Sequence, residues 1–230
     1  MSFSDELAEL RVLPAGMARI ERSAHRTILS VPTSVSEAAL LHPYLGSTAL
    51  AWAAWSGRCA LHGGSFVLDG GVWGLLGERE DGKSSALAWL LRHDVAVFAD
   101  DLLITDGDVA LAGPRFIDLR EGAARRFELG RDVGVLGTRR RWRAPLSSVP
   151  AVLPFRGWIE LAWGADIAIS RIPLPERLPT LARHKGLQLP IGDDLATLRL
   201  LGRPALRLTR PKDWTVIDEA MAYLLDSLRG

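Results

Sequence analysis

The chain has 230 residues, 48% hydrophobic and 24% charged, with a formal net charge of +1. That composition supports one domain of ordinary size with a substantial core, and it argues against a disordered chain or a nucleic-acid binder. A single cysteine, Cys59, excludes an internal disulfide framework and fits a reducing compartment; beside Arg58 it reads as a buried filler, not a nucleophile. The opening MSFSDELAEL is acidic and unlike a signal peptide, and no run of about 18 apolar residues occurs. The expectation is a cytoplasmic protein with neither membrane nor nucleic-acid partners.

In chain order, residues 11–13 and 17–20 read as short strands separated by Pro14 and Gly16, and residues 27–31 as a third, ended by Pro32. From Ser34 the pattern turns helical, breaks at His42-Pro43, resumes over 45–55 and stops at Ser56-Gly57. Trp52 and Trp55 lie on one helical face and read as packing rather than as a platform for adenine. Residues 1–57 are expected to support a core at 58–112, with 113–230 adding substrate-side and C-terminal elements, all in a single domain.

The core is organised around residues 62–101. Gly77-Glu78-Arg79-Glu80-Asp81-Gly82-Lys83-Ser84 fits the phosphate-binding pattern G-x-x-x-x-G-K-[ST]. An apolar run at 72–76 enters it as a strand, and residues 84–92 leave it as a helix. In such a loop, backbone N–H groups and the helix N-terminus face an anion; Lys83 reaches the β- and γ-phosphates, and the Ser84 hydroxyl sits on Mg²⁺. Glu78, Glu80 and Asp81 set three carboxylates against Arg79, which weakens the anion field and points to modest nucleotide affinity. A second strand, 95–99, ends in Asp100-Asp101. Adjacent acids there point to opposite faces, one toward a metal or nucleotide and the other toward a substrate. His62 opens the hairpin-like run 62–76.

Taken together, H-G-(x)13-G-x-x-x-x-G-K-S, a helix, and a strand ending in A-D-D resemble the kinase core of HPr kinase/phosphorylase. The pattern is also similar to the HPr-kinase-like enzymes that phosphorylate ribosomally made peptides, including lasso peptides. That family is related in fold to phosphoenolpyruvate carboxykinase. The resemblance is close over 62–101 and continues more weakly in element order. It implies an α/β fold with a P-loop kinase core, a mixed sheet and flanking helices. It further implies use of ATP and Mg²⁺, transfer to a Ser or Thr hydroxyl of a peptide or small protein, and a tendency to homo-oligomerise. Carried over by residue, Gly77, Gly82, Lys83 and Ser84, with Asp81 and Ser85 beside them, contact the nucleotide. Ser84 and Asp101 serve the metal, Asp100 is the general base, and His62 sits near the reacting phosphate. Ser85 stands where the family commonly carries Glu. Asp118-Leu119-Arg120-Glu121 is only a loose match to the family's E-I-R-G-x-G segment, so the resemblance does not extend to HPr as acceptor or to phosphorolysis.

Beyond the acid pair, 102–104 and 109–111 read as a hairpin around the turn at Asp106-Gly107. Residues 115–143 hold nine arginines against four acids. Most read as a solvated face, but Arg139, Arg140 and Arg141 are dense enough to reach a γ-phosphate or an acidic substrate terminus. Strands are expected at 151–154, 158–163, 167–172 and 205–208, and helices at 175–184 and 195–202. A final amphipathic helix, 214–228, carries its apolar stripe on Val216, Ile217, Ala220, Leu224 and Leu228. Two other functions remain open at this point. One is a small-molecule kinase on the same site; the other is a nucleotide-binding regulatory or scaffold protein whose acidic loop has lost turnover.

Overall fold

The structure, a computed structural model, describes residues 2–12, 16–32, 35–186 and 194–229. Leu13, Pro14 and Ser34, which bound two of the expected elements, lie outside the described residues. Strands β1 (Ser2–Phe3), β2 (Leu7–Arg11), β3 (Met17–Glu21) and β4 (Arg26–Ser30) form an antiparallel sheet in that order. The first expected strand therefore sits earlier than predicted, because Ala8 and Leu10 supply the inward alternation opposite Ala18 and Ile20. These four side chains pack on Tyr44, Ala51 and Trp55 of the helical stretch that follows: α1 (Glu37–Ala39), a π-helical turn (Leu40–Tyr44) and α2 (Leu45–Trp55). Trp52 stacks on His25 and Trp55 on Phe3, while Trp55 Nε1 donates to the Ser4 carbonyl at 2.9 Å. Both tryptophans thus serve packing, and neither lies in the cleft described below.

Strands β5 (Cys59–Leu68), β6 (Gly71–Leu76), β7 (Val97–Ala99), β8 (Leu102–Thr105) and β9 (Val109–Leu111) begin the main sheet. A small antiparallel sheet follows, built from β10 (Phe116–Leu119), β11 (Arg131–Leu136) and β12 (Arg139–Pro145), with helix α4 (Glu121–Phe127) between its first two strands. The main sheet is completed by β13 (Val152–Trp163), β14 (Ala168–Arg171) and β15 (Ala205–Arg210). Two long strands serve double duty. Residues 59–62 of β5 pair with β8 and residues 63–68 with β6; residues 152–154 of β13 pair with β9, and its remainder runs parallel to β6 and β15. The ring β5–β6–β13–β9–β8 consequently closes on itself. The expected strands 151–154 and 158–163 merge into β13, because the irregularity between Phe155 and Gly157 is a shift of register, not a turn.

Helices cover both faces of this mixed α/β sheet, which is why β6 reads as a continuous apolar run. Leu75 and Ile159 face α3 (Lys83–Arg92) and α7 (Ile217–Arg229), where Leu87, Leu90, Met221 and Leu224 are buried. On the other face, Leu76, Leu103, Phe155 and Trp158 pack with Leu181 of α5 (Leu174–His184) and Leu200 of α6 (Asp194–Gly202). Cys59 is fully buried in that second cluster. The buried stripe of α7 is Ile217, Ala220, Met221, Leu224 and Leu225, one turn tighter than expected, with Val216 and Leu228 at its margins. Among the described residues, no helix is long and apolar enough to cross a membrane.

Charge alone had marked residues 115–143; the small sheet is ordered by one ion pair. Arg143 donates through Nε and Nη2 to both oxygens of Asp118, each at 2.7 Å, and both side chains are nearly inaccessible. Its Nη2 also reaches the Ala38 carbonyl at 3.2 Å, and its guanidinium lies 3.8 Å from the Phe116 ring centre. Removing one partner strands the other charge in a poorly solvated place. Arg143→Ala is expected to destabilise the protein by about 3–5 kcal/mol, measured by urea unfolding.

Candidate functional site

The loop between β6 and α3 is held by its own side chains. Asp81 Oδ2 accepts the Glu78 N–H at 2.6 Å, and the Asp81 carbonyl accepts from Arg210 Nη2 at 2.7 Å. Gly82 has φ +82°, which favours glycine, and a Cβ there would lie 2.6 Å from Arg210 Nη2 and displace the end of that side chain. Lys83 Nζ donates to the carbonyls of Gly77 at 2.6 Å and Glu78 at 3.0 Å. Loss of solvation lowers the Lys83 pKa, against the opposing pull of Asp81, Asp101 and Asp100. Gly77 and Asp81 do not line the cleft; they shape the turn, and Asp81 acts as an internal brace in place of the ligand contact expected for it. The other two acids are also engaged: Glu80 lies 3.1 Å from Arg120 and 3.9 Å from Arg139, and Glu78 lies 3.9 Å from Arg183. The loop's carboxylates are therefore matched by cations that the local sequence does not contain.

At the end of β7 the acid pair divides as alternation required, but through a turn. Asp101 has φ +66°, which swings its carboxylate outward, half exposed, between His62 Nδ1 at 3.3 Å and His42 Nδ1 at 3.7 Å. Asp100 is recessed, and its Oδ2 accepts the backbone N–H of Asp118 at 3.0 Å. Burial, and next the charge of Asp101, push the Asp100 carboxyl up to about 7. His42 was visible in the sequence only as a helix break. It adopts φ −148° and ψ 122°, the extended conformation that a following proline favours, and this carries its ring to the site.

These groups line one cleft of about 520 Å³, shared by Lys83, Ser84, Ser85, His62, Asp100 and Asp101. Six cationic side chains contribute to it (Arg79, Lys83, Arg120, Arg139, Arg141 and Lys212), against four carboxylates. Strand alternation decides the fate of the arginine cluster. Arg139 and Arg141 face the cleft, whereas Arg140 points away and donates to Asp132 Oδ2 at 2.8 Å from Nε. Arg140, expected with its neighbours at a phosphate, is placed by the pleat of β12 beside Asp132 and outside the lining of the cleft. Lost solvation, then the charges of Arg120 and Arg79, lower the Arg139 pKa, the mark of crowded like charges. Among the described residues, the buried Nε of Arg141 has no hydrogen-bond partner.

A side pocket of about 160 Å³ joins the cleft at Gly82 and Ser85, walled by Trp163, Trp214, Arg210 and Lys212. Arg210 is 3% exposed, sits 4.4 Å from the Trp163 ring centre, and is pushed down to about 10 by burial. Its buried Nη1 finds no partner among the described residues. Neither Arg210 nor Lys212 falls in the arginine-rich segment, and only the parallel pairing of β15 with β13 brings them here. Among the described residues, no group of three or more His, Cys, Asp or Glu is gathered to hold a metal by itself.

Fold and cleft together define a mixed α/β protein with a cationic, carboxylate-bearing pocket at a strand–loop–helix junction. No protein-family model matches the chain, and no curated protein matches it in sequence. Among solved structures, the HPr(Ser) kinase/phosphatase from Coxiella burnetii aligns over 74% of this chain and 93% of its own, with a TM-score of 0.37 and 11% identity. That likeness is distant.

The raised Asp100 pKa has a thermodynamic sign. Between the ordinary value of 3.8 and about 7, the folded protein keeps a proton that the unfolded chain has released, so stability falls as pH rises through that window. Asp100→Asn removes the cost of the charged form and still accepts the Asp118 N–H. It is expected to be more stable than wild type at pH 8 by about 1–3 kcal/mol, discounted for solvent access, and nearly equal at pH 4.5. Denaturant unfolding at the two pH values checks this.

Proposed function

We propose that the protein is a Mg²⁺-dependent kinase that moves the γ-phosphoryl group of ATP to a Ser or Thr hydroxyl of a peptide or small protein. One observation carries the reading: Lys83 and Ser84 of the glycine loop share a cleft with the Asp100–Asp101 pair. Phosphoryl transfer asks for positioning and for charge neutralisation more than for covalent chemistry, and this cleft offers both. Lys83 and the N-terminal N–H groups of α3 bind the phosphates, while Arg139 and Arg141 neutralise the transferred group. Asp100, with its pKa near neutrality, takes the proton of the acceptor hydroxyl. As that oxygen bonds to the γ-phosphorus, the bond to the β–γ bridging oxygen breaks and ADP departs. His62 and His42 steady the Asp101 carboxylate.

Mg²⁺ commonly takes one or two protein donors and completes its shell with phosphate and water, which the Ser84 hydroxyl and the Asp101 carboxylate suit. There it would neutralise charge on the phosphates. The base of ATP is assigned to the Trp163–Trp214 side pocket, whose two indoles offer it apolar surface.

Thermal unfolding with Mg²⁺ plus ATP, GTP, ADP or pyrophosphate tests the nucleotide site. A ligand at about 100 times its Kd adds about 2.7 kcal/mol, a rise of roughly 5–10 °C for a domain of this size. Wild type and Arg140→Ala are expected to show the rise, and Lys83→Ala and Arg141→Ala to lose most of it; equal behaviour of the two arginine variants would count against the role given to Arg141. Transfer itself is expected to vanish in Asp100→Asn while the nucleotide-induced rise persists, read by mass spectrometry of the acceptor. Undiminished transfer in that variant would remove Asp100 from the base role.

A further inference from the structure

A second cavity of about 200 Å³ is lined by the acid pair and by no residue of the glycine loop among the described residues. It shares His42, Asp100, Asp101 and Asp118 with the main cleft, so the two spaces adjoin at the carboxylates. Its walls are of another character. Leu41, Leu45 and Ala49 of the π-helical turn and α2 form one side; Ile104, Leu111 and Phe116 form the other. Among the described residues no lysine or arginine lines it, in contrast to the six cations of the main cleft. The polar groups of its lining are His42 and the carboxylates of Asp100, Asp101 and Asp118, the last already paired with Arg143, so an acidic group finds no arginine or lysine among the described residues to receive it. An apolar group would bury its surface against six hydrophobic side chains.

We infer that this groove is the acceptor subsite, and that the acceptor is a peptide carrying a large apolar side chain directly beside the phosphorylated Ser or Thr. The inference rests on the phosphoryl-transfer reading above and deepens it. With the apolar side chain seated between α2 and β9, its neighbouring hydroxyl lies at the carboxylate junction. There the oxygen bonds to the γ-phosphorus, its proton passes to Asp100, and ADP leaves. The groove has room for one branched aliphatic or aromatic side chain, and it gives the N-terminal helical stretch a share in choosing the substrate. Gly46, on the same wall, meets nothing within 4 Å of an added Cβ. A side chain can therefore start from α2 on this wall without a clash at its first atom, and leucine is a better helix former than the glycine it would replace.

The test uses the full chain with Mg²⁺, the nucleotide that gives the thermal rise, and capped hexapeptides of glycine holding one serine flanked by Gly, Leu, Phe, Glu or Lys. Apolar pockets discriminate by about 10- to 200-fold per group. Leu- and Phe-flanked serine is expected to exceed Gly-flanked serine in kcat/KM by at least about tenfold, with Glu-flanked serine the poorest. Gly46→Leu is expected to bring the Leu-to-Gly ratio close to one. Transfer indifferent to the flanking residue, transfer to none of the peptides, or a ratio unmoved by Gly46→Leu would overturn the inference. Failure of the underlying reading shows separately, as wild-type protein that no nucleotide stabilises.

Discussion

The paired charges of Arg143 and Asp118 are the constraint on which the site depends. Through its side chain, Asp118 anchors the guanidinium that ties β12 to β10 and to the Ala38 carbonyl of the N-terminal segment. Through its backbone, the same residue donates to Asp100. Three separately coded parts of the chain thereby meet within three hydrogen bonds of the recessed carboxylate. Replacing such a pair by apolar side chains can preserve stability, since desolvation offsets much of the Coulomb gain. It could not preserve this geometry, because an apolar strand has no reason to present its N–H to an aspartate at that place. The pair reads as a device for position more than for stability.

The centre of the molecule was legible because its signals are local. A glycine loop between an apolar strand and a helix, and two acids at a strand end, are each specified within a few residues, and β6, α3 and the Asp100–Asp101 turn lie where expected. Residues that join from elsewhere were not legible. His42 signalled only a broken helix. Arg210, Lys212 and Trp214 belong to the last strand and the turn after it, and nothing in their neighbourhood marks an anion site. The acidic loop shows the same division: its charges were plain, but the ion-pair partners of Glu78 and Glu80, namely Arg120, Arg139 and Arg183, are 40 or more positions away. Arg140 differs from its neighbours for a simpler reason. A run of three arginines on a strand cannot act together, since the pleat sends every second one to the opposite face.

The surroundings of the cleft are graded in chemistry from one end to the other. An aromatic pocket with a buried arginine gives way to the cationic chamber at the glycine loop, then to the carboxylate junction, and then to an apolar groove. Each wall comes from a different layer of the protein. β15 and the segment before α7 build the first, the main and small sheets the middle, and the N-terminal helical stretch the last. The closed ring of strands beneath, with β5 and β13 each shared between two pairings, holds these layers in a fixed order.

The two hydrogen bonds from Lys83 to the Gly77 and Glu78 carbonyls have a bearing on selectivity. The ammonium has three donors, and the loop's own backbone already satisfies two of them. Any anion that recruits this lysine must compete with a neighbour that is covalently attached and never diffuses away. On the proposed reading, a singly contacting anion would gain little from that exchange, while a polyphosphate engaging the loop amides and several arginines at once would offset it. The lysine would then set an entry threshold, screening simple anions at the loop itself before any pocket shape is consulted.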